Sequence, residues 1–486
     1  MVVSKTPFGM RVQSARLAFF FIVPAAILAA ALSGCGRSGP AARQAPVAPV
    51  RGASSPAAQA LRAGAEGANL IIIVIDAARA DHFSGFGYEW ETTPRIDALF
   101  DESIVFEEAY ATAPNTKAST ASLFTSQYPD THGAVGLVTG LPMECTNLAE
   151  AMQSRGYVTA AFSANPFLAE CFGYARGFDE FFEVFREADL MPNQEGRVPA
   201  ERLVEAGVPW LREHADEQFF AYFHFLEPHA PYDPPAPFRF QFMRSPPWEM
   251  GLYDGSLAYV DDQVGELLED IDHLGLADRS VIVFLSDHGE AFGEHGRFGH
   301  STTVYQEMVH VPLSFRLPRD CEASPQRRPE IISLADVMPT LLDLYGLDLP
   351  DTMQGRSRLD LLAGEPEGES SYAVSRSRGD DETGGVAHPE QVSYALAGPR
   401  YTLILAEEGG RVELYDREVD EGQQEDIAGE NGDVVDELRQ RFEDWADTQV
   451  GRPVVLPGGR VYAAEERTVT PDEQTRRQLR ALGYLK

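Results

Sequence analysis

Residues 281–288 read Val-Ile-Val-Phe-Leu-Ser-Asp-His, and Gly289-Glu290 follow. The apolar residues run without alternation and most are β-branched or aromatic, the pattern of a strand buried on both faces. The run stops abruptly at Ser286, Asp287 and His288. Open α/β sheets place their ligands at the carboxyl ends of such strands. A carboxylate and an imidazole there offer one hard oxygen and one nitrogen to a metal ion. The same residues also suit a helix-capping aspartate followed by a surface histidine. The rest of the chain decides between the two.

Three further stretches repeat the pattern. Leu70–Ile75 (LIIIVI) stops at Asp76, Tyr157–Phe162 (YVTAAF) runs into Ser163-Ala-Asn165-Pro, and Phe219–Phe225 (FFAYFHF) runs toward Glu227-Pro-His229. Asp76 alone also reads as a cap, and His229 alone as an incidental loop residue. Helical stretches such as Leu148–Arg155 and Tyr259–Leu274 lie between the strands. This alternation predicts an α/β fold: a doubly wound, mostly parallel central sheet flanked by helices, with the polar strand ends gathered at one edge.

Between the first two strands lies Ala113–Gly133, APNTKASTASLFTSQYPDTHG. Thr116, Ser119 and Thr120 precede a short, mostly apolar run, which reads as a loop entering a helix whose N-terminus points at Thr116. Such an end favours negative charge and suits a hydroxyl that becomes an alkoxide or binds an anion. An ordinary Ser/Thr cap is the alternative. After the 281–288 strand, the Gly-rich loop Gly289–His300 carries His295 and His300. Ile332–Leu344 is amphipathic and reads as a helix packed on the sheet.

From about residue 370 the character changes. Gln391–Leu405 and Arg411–Tyr415 read as antiparallel strands and Val434–Trp445 as a helix, giving a small C-terminal α+β subdomain. The expected organisation is therefore 1–34 as an export signal, 35–67 as a flexible tether and 68–365 as a catalytic body. Residues 366–450 form the subdomain and 451–486 a tail with a helical end at Leu479–Leu485.

The signal reading rests on Lys5, Arg11 and Arg16, then apolar Leu17–Leu32, which is short for a spanning helix, then Leu32-Ser33-Gly34-Cys35. This resembles the bacterial lipobox and implies an exported protein tethered to the membrane by lipid on Cys35. Residues 36–67 are rich in Ala, Pro, Gly, Ser and Arg, the composition of a linker. Acidic side chains number 75 against 40 basic, a formal charge of −35. No basic patch stands out, so nucleic acid is set aside as a partner. The four cysteines lack CxxC spacing, which argues against a zinc-thiolate site. Whether Cys145 and Cys171 pair stays open.

Taken together, IVIDAARADH, ASLFTSQYPDTHG, LEPHAPYDPP, SDHGEAFGEHG, VYQEMVHVPL, SLADVMPTLLDL and ELYDREVD occur in an order that resembles the sulfatases of the alkaline phosphatase superfamily. The resemblance runs from about Asn69 to Asp426. It implies that Asp76, Asp287 and His288 are metal ligands. Thr116 falls at the nucleophile position and would also touch the metal. His229 matches a histidine near the leaving group, and His300 falls where many sulfatases have a substrate-binding lysine. Asn165 lies where others carry a lysine-and-histidine pair. Lys117 is expected to balance charge on the reacting group.

Three departures from the family pattern bear on the chemistry. The usual C/S-x-P-x-R window reads Thr116-Lys117-Ala118-Ser119-Thr120, and threonine cannot be converted to formylglycine. Ala77 stands where a second Asp is usual, and His288 where calcium-type members often have Asn. Losing an oxygen and gaining a nitrogen favours one divalent ion of the Mn²⁺ or Zn²⁺ kind over Ca²⁺. The resemblance implies a metal-dependent hydrolase of sulfuric or phosphoric esters acting on a small-molecule or glycan substrate. A transferase of envelope phospho-substituents and a catalytically silent surface lipoprotein are the competing readings.

Overall fold

The structure is a computed structural model that describes residues 55–186, 199–243, 247–321, 323–367, 371–377, 392–406, 410–448, 467–482 and 484. The export signal and most of the tether lie outside these residues. Among the described residues no helix is long and apolar enough to cross a membrane.

Eight strands form the main sheet. In chain order they are β1 Asn69–Ile75, β2 Ile104–Tyr110, β3 Val158–Ser163, β4 Glu180–Glu183, β5 Phe219–Phe225, β6 Ser280–Ser286, β7 His310–Arg316 and β8 Gln326–Ser333. Across the sheet the order is β8-β2-β7-β6-β1-β5-β3-β4. Only β7 runs antiparallel to its neighbours, β2 and β6. The central strands β1, β5 and β6 are buried at every residue, which is why each reads as an unbroken apolar run.

Register sets the position of the site. Ile75 lies opposite both Phe225 of β5 and Ser286 of β6, and Ser163 of β3 lies opposite His224. The residues that follow these parallel strands therefore emerge in one row. The expected doubly wound sheet is present, with four more strands than the apolar runs announced. The reasons are local. β7 carries Pro312 at a shift in its pairing with β2, and proline cannot donate to a ladder, so it enters a sheet at such an irregularity. β8, QRRPEIIS, is polar over its first half, and β2 has Glu107 and Glu108 in its middle.

Helices flank the sheet: α1 Pro56–Gly64, α2 Pro94–Asp101, α3 Thr116–Thr125, α4 Leu148–Ser154, α5 Glu201–Glu213, α6 Trp248–His273 and α7 Val337–Leu344. The long α6 packs on α2 and α5. Residues 56–64 correct the tether reading. They form α1, Ser55 caps it by accepting from the Ala58 N–H at 3.0 Å, and Ala58 and Leu61 are buried in the main core.

The C-terminal subdomain is an antiparallel sheet of β9 Ala373–Arg376, β10 Ser393–Ala397, β11 Tyr401–Ala406 and β12 Val412–Asp416, in that order. Its core, including Leu403 and Leu414, is covered by Val435, Leu438 and Phe442 of α8, Gly432–Thr448. The tail reading also needs correction. Arg467–Thr468 pairs antiparallel with Thr139–Gly140, and the helix is α9, Glu473–Ala481, ahead of the expected 479–485. Leu479 and Tyr484 pack on Phe167 in the main body.

Candidate active site

Asp76 follows β1, and Asp287 and His288 follow β6, so adjacent parallel strands deliver them to one edge. All three are buried, and a ligand atom from each lies within 4.8 Å of the others. Ala77 adopts a left-handed conformation with φ 56°, which turns the chain away just past Asp76. Its N–H donates to Asp287 Oδ1 at 3.1 Å. The residue that replaces a family carboxylate thus holds another one in place.

Thr116 enters on the first turn of α3. Asn115, not a hydroxyl residue, caps that helix by accepting from the Ala118 N–H at 3.1 Å. The Thr116 hydroxyl is 3.2 Å from Asp76 Oδ2 and 3.3 Å from His288 Nε2. His288 Nδ1 donates to Gly289 O at 2.8 Å. A carbonyl only accepts, so Nδ1 holds the proton and the Nε2 lone pair faces Asp76 and Thr116. Burial and the neighbouring His300 push the His288 imidazole down to about 4, keeping it neutral and able to ligate.

Asp76 and Asp287 respond oppositely to the same burial. Burial drives Asp287 up, and the Asp76 charge drives it further. At Asp76 burial also pushes upward, but the His224 hydrogen bond and the surrounding imidazoles outweigh it and hold the carboxyl below its usual range.

Two residues with no assigned role reach Asp76. His224, the single histidine inside the apolar β5, places Nε2 3.2 Å from Asp76 Oδ2 and is held through Nδ1 by the Tyr222 hydroxyl at 2.9 Å. A histidine in the middle of a fully buried strand was the available signal, since a buried polar group requires a partner. Asn165 Oδ1 accepts from the Phe167 N–H, which turns Nδ2 toward Asp76 Oδ2 at 2.5 Å and Thr116 Oγ1 at 3.4 Å.

His229 and His300 lie together on the other flank, ring centroids 4.9 Å apart, with His300 4.6 Å from His288. Burial pushes His229 down from its ordinary value. His300 Nδ1 pairs with Glu290 Oε1 at 3.0 Å, and the Ser301 N–H donates to Pro114 O at 2.7 Å, tying this loop to the one that carries Thr116. His295, by contrast, bonds Glu307 and the Gln423 carbonyl and serves the subdomain contact. Cys145 and Cys171 are separate thiols.

Lys117 does not fill its expected role. Its ammonium donates to the carbonyls of Gly136, Leu137 and Thr139 at 3.2, 2.9 and 3.0 Å and sits 3.5 Å from the Phe172 ring centroid. An ammonium has three donors, and all are spent on that turn. Adjacent helical residues face different directions, so Thr116 points into the site and Lys117 toward the turn.

The donor set fits a divalent cation. Asp287 Oδ2 is buried without a hydrogen-bond partner among the described residues, a costly state for a carboxylate oxygen unless a cation faces it. Asp76 and Asp287 with His288 Nε2 are the residues that would hold the ion.

The doubly wound sheet brings carboxylates, a neutral imidazole and a hydroxyl together at its carboxyl edge, and the family models that match the chain make it an ester hydrolase of the alkaline phosphatase superfamily. The Sulfatase family model matches residues 68–347, and the model for the C-terminal part of N-sulphoglucosamine sulphohydrolase matches residues 293–448. The chain belongs to the sulfatase family. An arylsulfatase of Clostridium perfringens is 25% identical, with 60% of this chain and 78% of that protein covered. An ulvan-active sulfatase of Formosa agariphila is 26% identical, covering 74% and 77%. Among solved structures, the phosphonate monoester hydrolase of Agrobacterium radiobacter has a TM-score of 0.67 at 21% identity, covering 79% of this chain and 96% of that one.

Proposed function

We propose that this protein hydrolyses sulfuric or phosphoric esters with Thr116 as nucleophile, without formylglycine, using one divalent ion held by Asp76, Asp287 and His288. The observation that carries the reading is the Thr116 hydroxyl, 3.2 Å from Asp76 and 3.3 Å from His288, together with an Asp287 Oδ2 that has no hydrogen-bond partner among the described residues. When bound, the cation lowers the pKa of an adjacent hydroxyl and neutralises charge on the ester oxygens. The two-oxygen, one-nitrogen donor set favours Mn²⁺ or Zn²⁺ over Ca²⁺.

The protein's own residues supply the rest. Asp76 and Asn165 hold the Thr116 oxygen in place for attack on the ester. The Thr116 hydroxyl gives up its proton to solvent water, and its oxygen bonds to sulfur or phosphorus as the bond to the leaving oxygen breaks, the electron pair of that bond staying on the leaving oxygen. His229 or His300 provides the proton that the leaving oxygen takes. Water then releases the Thr116 ester. A threonine nucleophile tilts the chemistry toward phosphorus, and relatives named for aryl sulfates and ulvan support small-molecule or glycan substrates. The proposal includes export and lipid attachment at Cys35, tested by fatty-acid labelling that Cys35→Ser abolishes.

A panel of nitrophenyl sulfate, phosphate and phosphodiester substrates, with and without a sugar acceptor, separates hydrolysis from transfer. An acid-quenched reaction is expected to show a mass increase on the Thr116 peptide. Thr116→Ala is expected to abolish turnover while bound metal stays at wild-type content. Unchanged turnover in that variant overturns the reading.

A further inference from the structure

Tyr484 reaches the site from the end of the chain. Its hydroxyl lies 2.9 Å from His300 Nε2 and makes a shorter hydrogen bond with His229 Nε2. The opposite nitrogen of each ring is already engaged: His229 Nδ1 with Ala230 O at 2.5 Å, His300 Nδ1 with Glu290 Oε1 at 3.0 Å. A carbonyl accepts only, and so does an ionised carboxylate. Both Nδ1 atoms therefore donate, and because a phenol hydroxyl has a single proton it donates to one Nε2 and accepts from the other, so one of the two rings carries a proton on both nitrogens. An imidazole held at one nitrogen still pivots about that bond, whereas a partner at the second nitrogen fixes the ring plane. Because both Nε2 atoms bond the same oxygen, they stand no further apart than two hydrogen bonds and converge on one point.

The tail is anchored independently of that hydroxyl. The Tyr484 ring packs edge-on to Phe167 at 4.5 Å, in one cluster with Leu479. Asp472 pairs with Arg186 at 2.9 Å, and Thr468 pairs with Thr139. Phe167 is also the residue whose N–H orients Asn165 toward Asp76 and Thr116. Removing the hydroxyl alone therefore leaves the docking surface in place.

We propose that Tyr484 is a positioning residue for the leaving-group step, its hydroxyl fixing the ring planes of His229 and His300 and holding the Nε2 proton until the leaving ester oxygen takes the hydroxyl's place as acceptor. This rests on the reading of those histidines as the leaving-group flank. In that step the bond from sulfur or phosphorus to the leaving oxygen breaks, its electron pair stays on the oxygen, and a proton held on an imidazole Nε2 moves to it.

The test compares full-length, metal-loaded wild type, Tyr484→Phe and Tyr484→Ala on esters whose leaving alcohols differ in acidity. A correctly held general acid is worth about 10²–10⁴-fold, so Tyr484→Phe, which loosens it, is expected to lower kcat about tenfold for weakly acidic alcohols. For nitrophenyl esters, which need little proton assistance, the loss is expected to stay under about threefold, with KM and metal content near wild type. Tyr484→Ala is expected to repeat this dependence and also to lower thermal stability through the emptied ring site. Wild-type kinetics in Tyr484→Phe, or an equal loss across all leaving groups, overturns the proposal. So does a rise in activity, which would make the tail a stopper. Thr116 is read separately: formation of its covalent ester in Tyr484→Phe reports the nucleophile, so either assignment fails without the other.

Discussion

Asp76 and Asp287 reach the site as the residues that follow two neighbouring parallel strands, whereas His229, His300 and Tyr484 arrive on loops and on the tail. The first flank is positioned by backbone register, Ile75 opposite Ser286. The second is positioned by side-chain hydrogen bonds between residues up to 255 positions apart, as for His229 and Tyr484. A flank set by sheet register tolerates little change, because its carboxylates cannot move without the strands. A flank held by a few hydrogen bonds loses function in steps. The two are expected to differ in how they fail.

The largest effect is expected on the register flank. Asp287→Ala removes the orphaned oxygen and is expected to lower turnover on the order of a thousandfold, several kcal/mol of transition-state charge stabilisation. Bound metal, measured by elemental analysis, is expected to disappear with it. Retained metal would show that the ion is held elsewhere.

His229→Ala probes the other flank. It is expected to cost about a hundredfold in kcat for esters of weakly acidic alcohols while metal content stays unchanged. Loss of metal in this variant would merge the two flanks into one.

Lys117→Met separates a structural lysine from a catalytic one. Three carbonyls lose their donor, so stability is expected to fall by about 2–3 kcal/mol, seen as a lower Tm. Activity per folded molecule is expected to change by less than about threefold. Collapse of kcat in fully folded protein would restore the charge-balancing role.

The smallest effect concerns a buried carboxylate outside the site. Asp261 accepts from the Arg95 and Ile96 N–H groups of α2 at 3.2 and 2.8 Å, and burial raises it to about 7. The folded state therefore keeps a proton that the unfolded chain releases between about pH 4 and pH 7. The unfolded state binds fewer protons in that window, so stability is expected to decline as pH rises through it. Asp261→Asn keeps an acceptor for the backbone and is expected to flatten that slope in denaturant titrations across the window. An unchanged slope would show that Asp261 is ionised in the fold. Asp76, buried just as deeply but bonded to His224, shifts the opposite way, so the partners and not the burial set the sign.

Much of the fold was legible because a strand buried on both faces carries an unbroken apolar run, as β1, β5 and β6 do. The strands that escaped notice have local reasons to look otherwise: Pro312 in β7, charged residues in β2 and β8. Asp76, Asp287, His288 and Thr116 were legible because each stands where an apolar run or a helix meets a polar residue. His224 was visible as a histidine inside such a run but carried no assigned role. Lys117 was misread because sequence adjacency to Thr116 says nothing about direction, and one helical step turns a side chain by about 100°.

The amino-acid sequence by itself determined the α/β class, the edge of the sheet where the candidate site residues gather and the residues that end its central strands, since period and burial are local properties of a strand. Only the tertiary structure decided that Lys117 serves a distant turn, that Asp287 keeps an oxygen without a hydrogen-bond partner among the described residues, and that Tyr484 joins two histidines. Those facts depend on which surfaces meet after the chain has closed on itself, and no pattern within a single segment encodes such a meeting.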